Sequence, residues 1–569
     1  MAAMPTAGPS TLNSSLTATT LPSSDTTGSV ALSTSTEKHV KENMDIIVVV
    51  GPSDIANPSE DPNSPDYVKI KLTKSEFASV FIGLALAIFL ASLDQTIVAT
   101  AIPAILNDFH SLDKISWIGT SYLLTSTAFA PLYGKFADIF GRKPTFLFAV
   151  AIFEIGSLIC GAANSIELLI VGRAVSGVGG GGIISLVLII ISDIVSFRDR
   201  GKYQGIIGAV FGLSSVLGPL LGGTFTDTLS WRWCFYINIP IGGITFAVIL
   251  FLLRFPSTTG SAWSKLSRVD LLGTILIVAT VICLLIPLQY GGGQWAWSDW
   301  RIIVMFIVAL IFLALFIIVE IKVSSEPVIP PAMFENASVY ALLTVAFLIG
   351  ASFFGLVYFL PSYFQLVNGS TATQAGLATI PLVGGLVVMS IITGQLVSRF
   401  GYYKPFLFIG SILLTIGAVL ISTLSQHSTH AEQIGYLLLA GLGVGCMIQI
   451  RTIGIQASVS PHNIAVATSS STFFQSLGGS IGVAIVGTIF NNVLQSQLGP
   501  ELAKAVSSNP DGIKHMSEAQ RNVVLDGFTA AFGTSYKATI PLAAIIFLVA
   551  FVVKQKPPTA KLDTSVALE

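Results

Sequence analysis

Four ionisable side chains stand inside runs that are otherwise apolar: Asp94 in FLASLDQTIVAT, Glu154 in FAVAIFEIGSLIC, Arg173 in LLIVGRAVSGV and Arg451 in GCMIQIRTIGI. A charged group near the middle of a bilayer costs about 2.5–3.5 kcal/mol even on lenient insertion scales, so each needs a partner or a task. A carboxyl in a cavity wetted alternately from two sides takes up and releases its proton according to the side it faces, which is the chemistry of proton coupling. Asp94 and Glu154 are the candidate carriers. The structural alternatives are a helix-end cap or neutral hydrogen-bonded acid for Asp94 and a packed neutral acid for Glu154. For Arg451, near the end of its run, the alternative is snorkelling to the interface. Gln95, Gln289, Gln365, Gln449, Gln456 and Gln475, in or at the ends of the runs, offer neutral donors and acceptors to a substrate, and 10% aromatic content supplies stacking walls.

The elements that must position these groups are membrane helices. The chain is 52% hydrophobic and 10% charged over 569 residues, with mean hydropathy +0.78, whereas a soluble domain is roughly 25% charged. The fold class is an all-α polytopic membrane protein. About fourteen apolar runs reach the roughly 20 residues that span a bilayer as helix. They partition as six, two and six: a six-helix bundle over 72–255, a linker with two further spans over 256–335, and a second six-helix bundle over 336–554. Lys135, Arg142 and Lys143, then Arg198, Arg200 and Lys202, then Arg254, Lys265 and Arg268, then Arg399 and Lys404 fall on alternate links. By the positive-inside rule that side is cytoplasmic and both termini join it. The opposite links carry few cations, except 495–537, which reads as a non-cytoplasmic loop folded into a cap. Asn368-Gly-Ser370 lies on that side as a candidate glycosylation acceptor. Residues 1–71, rich in Ser and Thr, read as an unstructured cytoplasmic tail, and 555–569 as a second. The apolar island Ile46–Val50 is too short and too far in for a signal peptide.

Several function classes drop out. A formal net charge of −1 gives no basic field for nucleic acid. Cys160, Cys234, Cys283 and Cys446 have no CxxC or metal-ligand spacing and read as packing residues, so no metal is expected. There is no Walker loop in strand-to-helix context and no HExxH, and Gly179–Gly182 continues an apolar helix rather than opening a phosphate-binding turn. The chain therefore reads as no enzyme, with no cofactor and no use of ATP, leaving an ion gradient. A charge crossing 100 mV releases about 2.3 kcal/mol, enough to concentrate a neutral substrate roughly fiftyfold. The partners are a small-molecule substrate, protons and the lipid bilayer, and the monomer is the expected functional unit.

One charged hinge recurs. GKFADIFGRKP (Gly134–Pro144) returns in degraded form as GQLVSRFGYYKP (Gly394–Pro405), with two glycines at the same spacing and a following Lys-Pro. Asp138 can cap a helix or hold one of the cations. Weak internal symmetry of this kind marks a duplicated half.

The motifs together resemble the major facilitator superfamily, specifically its fourteen-helix drug:proton antiporter family of fungal type. LDQTIVATAIP (Leu93–Pro103) is similar to the family's first-span motif, and GKFADIFGRKP to its loop between spans two and three. LIVGRAVSGVGGGG (Leu169–Gly182) is similar to the fourth-span arginine motif, GLSSVLGPLLGG (Gly212–Gly223) to the fifth-span antiporter motif, and WRWCFYINIPIG (Trp231–Gly242) to the start of span six. The resemblance implies two six-helix bundles plus two extra helices and proton-coupled export of small organic, amphipathic compounds by alternating access. It favours Asp94 as proton carrier with Arg173 as its positive partner. It implies a cytoplasmic gate of Gly134, Asp138, Gly141, Arg142 and Lys143, and an antiporter helix marked by Gly212, Gly218, Pro219, Gly222 and Gly223. The glycines of that helix leave a flat face for close approach and Pro219 bends it, which suits a rocking surface. At Gln475, in TFFQSLGGSIG, members of the family often carry arginine, and this departure leaves the polarity of the substrate open. Related proteins carry basic amino acids into the vacuole, which keeps a second task and the vacuolar membrane in view beside the favoured plasma membrane. A transport-silent receptor is the reading from another class.

Overall fold

The computed structural model describes residues 46–50, 68–109, 114, 116–255, 261–292, 295–508 and 516–555. The first half holds α1 (Lys74–Phe109), α2 (Ser116–Phe140), α3 (Arg142–Gly161), α4 (Ile166–Ile194), α5 (Arg200–Thr228) and α6 (Trp233–Leu252). The linker pair is α7 (Leu271–Tyr290) and α8 (Trp300–Lys322). The second half holds α9 (Ala337–Leu366), α10 (Ile380–Phe400), α11 (Lys404–Ile421), α12 (His430–Ser458), α13 (Ile464–Leu498) and α14 (Glu518–Ala550). Among the described residues thirteen helices are long and apolar enough to cross a membrane. The fourteenth, α2, is less apolar because of its Ser, Thr and Tyr residues, yet it packs against α4 and α13 within the bundle.

Local sequence explains where the helices begin and end. Ser165 caps α4 by accepting from the Leu168 N–H at 3.2 Å, Asp270 caps α7 by accepting from Gly273 at 2.7 Å, and Thr429 with Glu432 forms a reciprocal capping box at α12. Ahead of the bundle, β1 (Ile46–Val50) and β2 (Val68–Leu72) pair antiparallel, with Ile46 opposite Leu72. The sequence reading left both in an unstructured tail. The alternation Val68, Ile70, Leu72 is the strand signal it passed over. The rest of that tail, and 556–569 of the C-terminal one, lie outside the described residues. Much of 495–537, read as a loop, is helix: α14 already begins at Glu518, with a short helix, Pro500–Ser508, before it.

Packing repeats between the halves. In the first, α1 packs on α5 and α6, α2 on α4, and α3 on α4 and α6. In the second, α9 packs on α13 and α14, α10 on α12, and α11 on α12 and α14. The halves meet through two crossed pairs, α2 with α13 and α5 with α10, as a pseudo-twofold axis requires. The α7–α8 pair lies against α2 in an apolar cluster that includes Ala128, Leu132, Val281 and Phe316.

Candidate transport site

Two buried polar clusters lie inside the bundle, one in each half. In the first, Arg173, two turns into α4, forms an ion pair with Asp94 of α1 that excludes solvent from both side chains. Arg173 Nε also donates to the Ile118 carbonyl at 3.1 Å, and the guanidinium lies 4.4 Å from the centre of the Tyr122 ring. The second oxygen of Asp94 accepts from Asn238 Nδ2 of α6 at 3.3 Å, and the same amide donates to Ser157 Oγ of α3 at 3.1 Å. Five helices thus converge on one carboxylate. A dry ion pair persists only where its remaining hydrogen bonds are met, and Asn238 and the Ile118 carbonyl meet them.

Glu154 stands one turn from Ser157 on α3. Both of its carboxyl oxygens are enclosed and, among the described residues, without a hydrogen-bond partner. Gly242, one turn along α6 from Asn238, makes room for it: a Cβ at Gly242 would collide with Glu154 Oε1. The structure therefore brings Asp94, Arg173 and Glu154 onto one cluster and adds Tyr122, Ser157 and Asn238, which the sequence reading did not select. An amide inside the apolar stretch YINIPIG was the available signal for Asn238.

The second cluster centres on Arg451 of α12. It is 3% exposed and about two turns inside the end of its helix, so it does not snorkel to the interface. It bonds Ser471 Oγ and Gln475 Oε1 of α13, and donates to the Ser471 carbonyl at 3.2 Å. Of the glutamines offered to substrate, Gln475 thus joins Arg451, and Gln449 precedes it at the interruption of α12, where it lies against Gly208 of α5. Gln95 bonds back to the Ala91 carbonyl at 3.3 Å. Gln365 is exposed at the end of α9, and Asn368 is exposed in the following loop.

At the end of the bundle that carries the basic links, the halves are closed. Arg142 donates to Asp138 Oδ1 at 2.7 Å, to Asp193 Oδ2 at 2.9 Å and to the Ala137 carbonyl at 2.9 Å, tying α2, α3 and α4 together. Asp138 therefore holds a cation rather than capping a helix. Gly141 (φ 94°) and Gly401 (φ 76°) occupy the left-handed region at matching turns of the two halves. Lys143, half-buried, sits in the first turn of α3. Lys135 reaches Glu326 of the α8–α9 linker at 2.8 Å, and Arg268, ahead of α7, reaches the same carboxylate at 2.6 Å. Burial alone would raise the Glu326 carboxyl, but the bonds from Arg268 and Lys135 outweigh it and hold it below its ordinary value.

The repeated glycines mark where the halves touch. A Cβ at Gly134 would strike Ser469 and the backbone of α13, and one at Gly394 would strike the Gly201 carbonyl of α5. Nearby, Ser469 Oγ donates to the Pro131 carbonyl at 3.3 Å, the Lys202 N–H to Ser398 Oγ at 2.9 Å, and Gln204 to Gln456 at 3.2 Å. On α5 the sequence reading placed the rocking face at Gly212–Gly223. The contact with the second half runs along Gly201, Gly205, Gly208 and Gly212, so that face begins earlier and shares Gly212, whereas Gly218 and Gly222 pack on Thr96 and Thr100 of α1 in their own half. Pro219 lies inside the helix, and Gly223 faces open space.

Residues 84–483 match the sequence profile of the Major Facilitator Superfamily. The MFS-type efflux pump MFS1 of Trichophyton rubrum is 39% identical over 488 residues, covering 84% of this chain and 90% of that protein. The efflux pump aflT of Aspergillus parasiticus is 40% identical over 423 residues, covering 74% and 82%. Among solved structures, the proton:xylose symporter XylE superposes with a TM-score of 0.55 at 14% identity, covering 85% of this chain and 98% of that one, a likeness of fold alone.

Proposed function

The chain belongs to the major facilitator superfamily, and from that premise we propose that it exports small amphipathic organic molecules across a fungal plasma membrane in exchange for protons. The names of its relatives as efflux pumps support the direction. The basic links support placing that end, and both termini, in the cytosol, so the arrangement described is the one closed to the cytoplasm. The two halves rock about the crossed contacts of α2 with α13 and α5 with α10, exposing the interior to each side in turn.

The observation that carries the proton-coupled reading is the unpartnered Glu154 carboxyl beside the Asp94–Arg173 pair. With Asp94 ionised, Arg173 charged and Glu154 protonated, the cluster is electrically neutral. Removing the proton from Glu154 leaves a charge with no donor, and adding one to Asp94 strips Arg173 of its counter-ion. The bonding thus favours Glu154 as the group that exchanges the proton and Asp94 as the anchor that fixes the cluster, reversing the preference drawn from the first-span motif. Glu154 then takes its proton from the outer side as substrate leaves, which lets the carrier return, and gives it up to the cytosol as the next substrate binds. In inverted vesicles, Glu154→Gln should abolish uphill, pH-gradient-driven uptake while leaving substrate binding intact. Full uphill transport by Glu154→Gln with loss in Asp94→Asn would move the role to Asp94; full activity in both would remove both from the coupling.

A further inference from the structure

Among the described residues Arg451 has no counter-ion. Its guanidinium is 3% exposed, and its partners, Ser471, Gln475 and a backbone carbonyl, are all neutral. Its Nε is enclosed and, among the described residues, without an acceptor. The sequence closes the local alternatives, since α9, α10, α11 and α13 contain no Asp or Glu, and the one acid of α12, Glu432, lies in its first turn at the opposite end. The buried acids elsewhere are engaged, Asp94 with Arg173, Asp138 with Arg142 and Glu320 with the Val328 and Ile329 N–H groups, and the half-buried Glu154 packs against Gly242. Arginine stays charged in proteins, so the second half keeps a dry, uncompensated cation.

Its place in the fold gives that cation a use. Gln449, two residues before it, lies against Gly208 of α5 across the seam between the halves. Nearer the basic end, Gln456 bonds Gln204 of α5, and Ser469 bonds the Pro131 carbonyl of α2. Arg451 thus lies between Gln449 and Gln456, the two side chains of α12 that reach α5 across the closed seam. We infer that Arg451, oriented by Ser471 and Gln475, is the anion-recognition site of the carrier, and that its substrates are amphipathic organic acids presenting a carboxylate or a similar planar oxyanion. The guanidinium fork matches such a group, and a bound anion supplies the charge the helices lack. This inference rests on the exporter reading and names its substrate class.

The test uses matched probes, anthracene-9-carboxylate and anthracene-9-carboxamide, titrated by fluorescence against the purified full-length protein in lipid nanodiscs at pH 7.5. The carboxylate should bind at least about tenfold more tightly than the amide, the scale of one charge-assisted hydrogen-bonded pair. Arg451→Gln should bring the ratio to about one without weakening the amide, and Arg451→Lys, which keeps the charge but not the fork, should fall between. If Arg451→Gln does not fold, Arg451→Lys decides, and an unchanged ratio in that variant overturns the site. Equal wild-type affinity for both probes, or a preference that survives Arg451→Gln, overturns the anion site and leaves proton-driven export of neutral amphiphiles standing. A carboxylate preference in nanodiscs, with neither probe moved by an imposed pH gradient in liposomes of the same protein, would uphold the site and overturn the exporter reading.

Discussion

Replacing Gly394 by alanine should open the cytoplasmic face. The added methyl would sit far inside van der Waals contact with the Gly201 carbonyl and 3.3 Å from Gly205 Cα, and both obstacles are backbone, so no side chain can swing away. Overpacking of this kind costs about 1–3 kcal/mol. The contact exists only when α5 and α10 touch, so the cost falls on the closed state alone, and the open-to-closed ratio should rise by about 5- to 150-fold. Spin labels at Pro144→Cys and Tyr402→Cys, both exposed on the basic end of opposite halves, read that ratio as a distance distribution in a background lacking the native cysteines. Gly223→Ala, which meets open space, is the silent control. Gly218→Ala, which strikes Thr96 within the same half, should lower stability without moving the distribution. A wild-type distribution and wild-type turnover in Gly394→Ala would refute the assignment of these glycines as the seam between the halves.

Asp94→Asn should lower the thermal midpoint in detergent, because it strands a buried guanidinium at a cost of about 3–5 kcal/mol; the double variant Asp94→Asn with Arg173→Gln should recover part of that loss, and an additive double would deny the pairing. Glu326→Gln should loosen the α8–α9 linker from Lys135 and Arg268. Since bonding holds the Glu326 carboxyl below its ordinary value, its contribution is complete above the ordinary carboxylate range and is lost as pH falls through the depressed value. Protection from hydrogen exchange in residues 324–330, corrected for the intrinsic pH dependence of exchange, should therefore fall in acid in the wild type but already be low at neutral pH in Glu326→Gln. Asn368→Gln should remove a glycan-dependent mobility shift in protein expressed in a fungal host, and an unchanged shift would place that loop elsewhere.

The sequence made the helices legible because bilayer length and apolar composition leave few other solutions, and α2 stayed visible through its GKFADIFGRKP end although its polarity hides it from hydropathy. Arg173 and Asp94 were findable one by one because each interrupts an apolar run; Asn238 left only the faint signal of one amide in YINIPIG, and Ser157 and Tyr122 left none, because neutral polar residues are ordinary in membrane helices until their partners are known. The reversal at Arg451 has the same root. Distance from a helix end suggested snorkelling, and only the packing of α12 on α13 shows the guanidinium turned inward on Ser471 and Gln475. The α5 glycines illustrate the limit of a motif: Gly212–Gly223 marks the helix, but which glycines face the other half depends on a rotation that spacing alone does not fix.

The most direct measurement reconstitutes the purified chain in liposomes with an imposed pH gradient and no other energy source, following anthracene-9-carboxylate and internal pH together. Proton-coupled exchange predicts that substrate moves uphill against its gradient while protons move the other way, that collapsing the gradient stops both, and that Glu154→Gln leaves only downhill substrate movement. Uphill substrate flux without accompanying proton movement, or no flux in either direction from correctly folded protein, would contradict it.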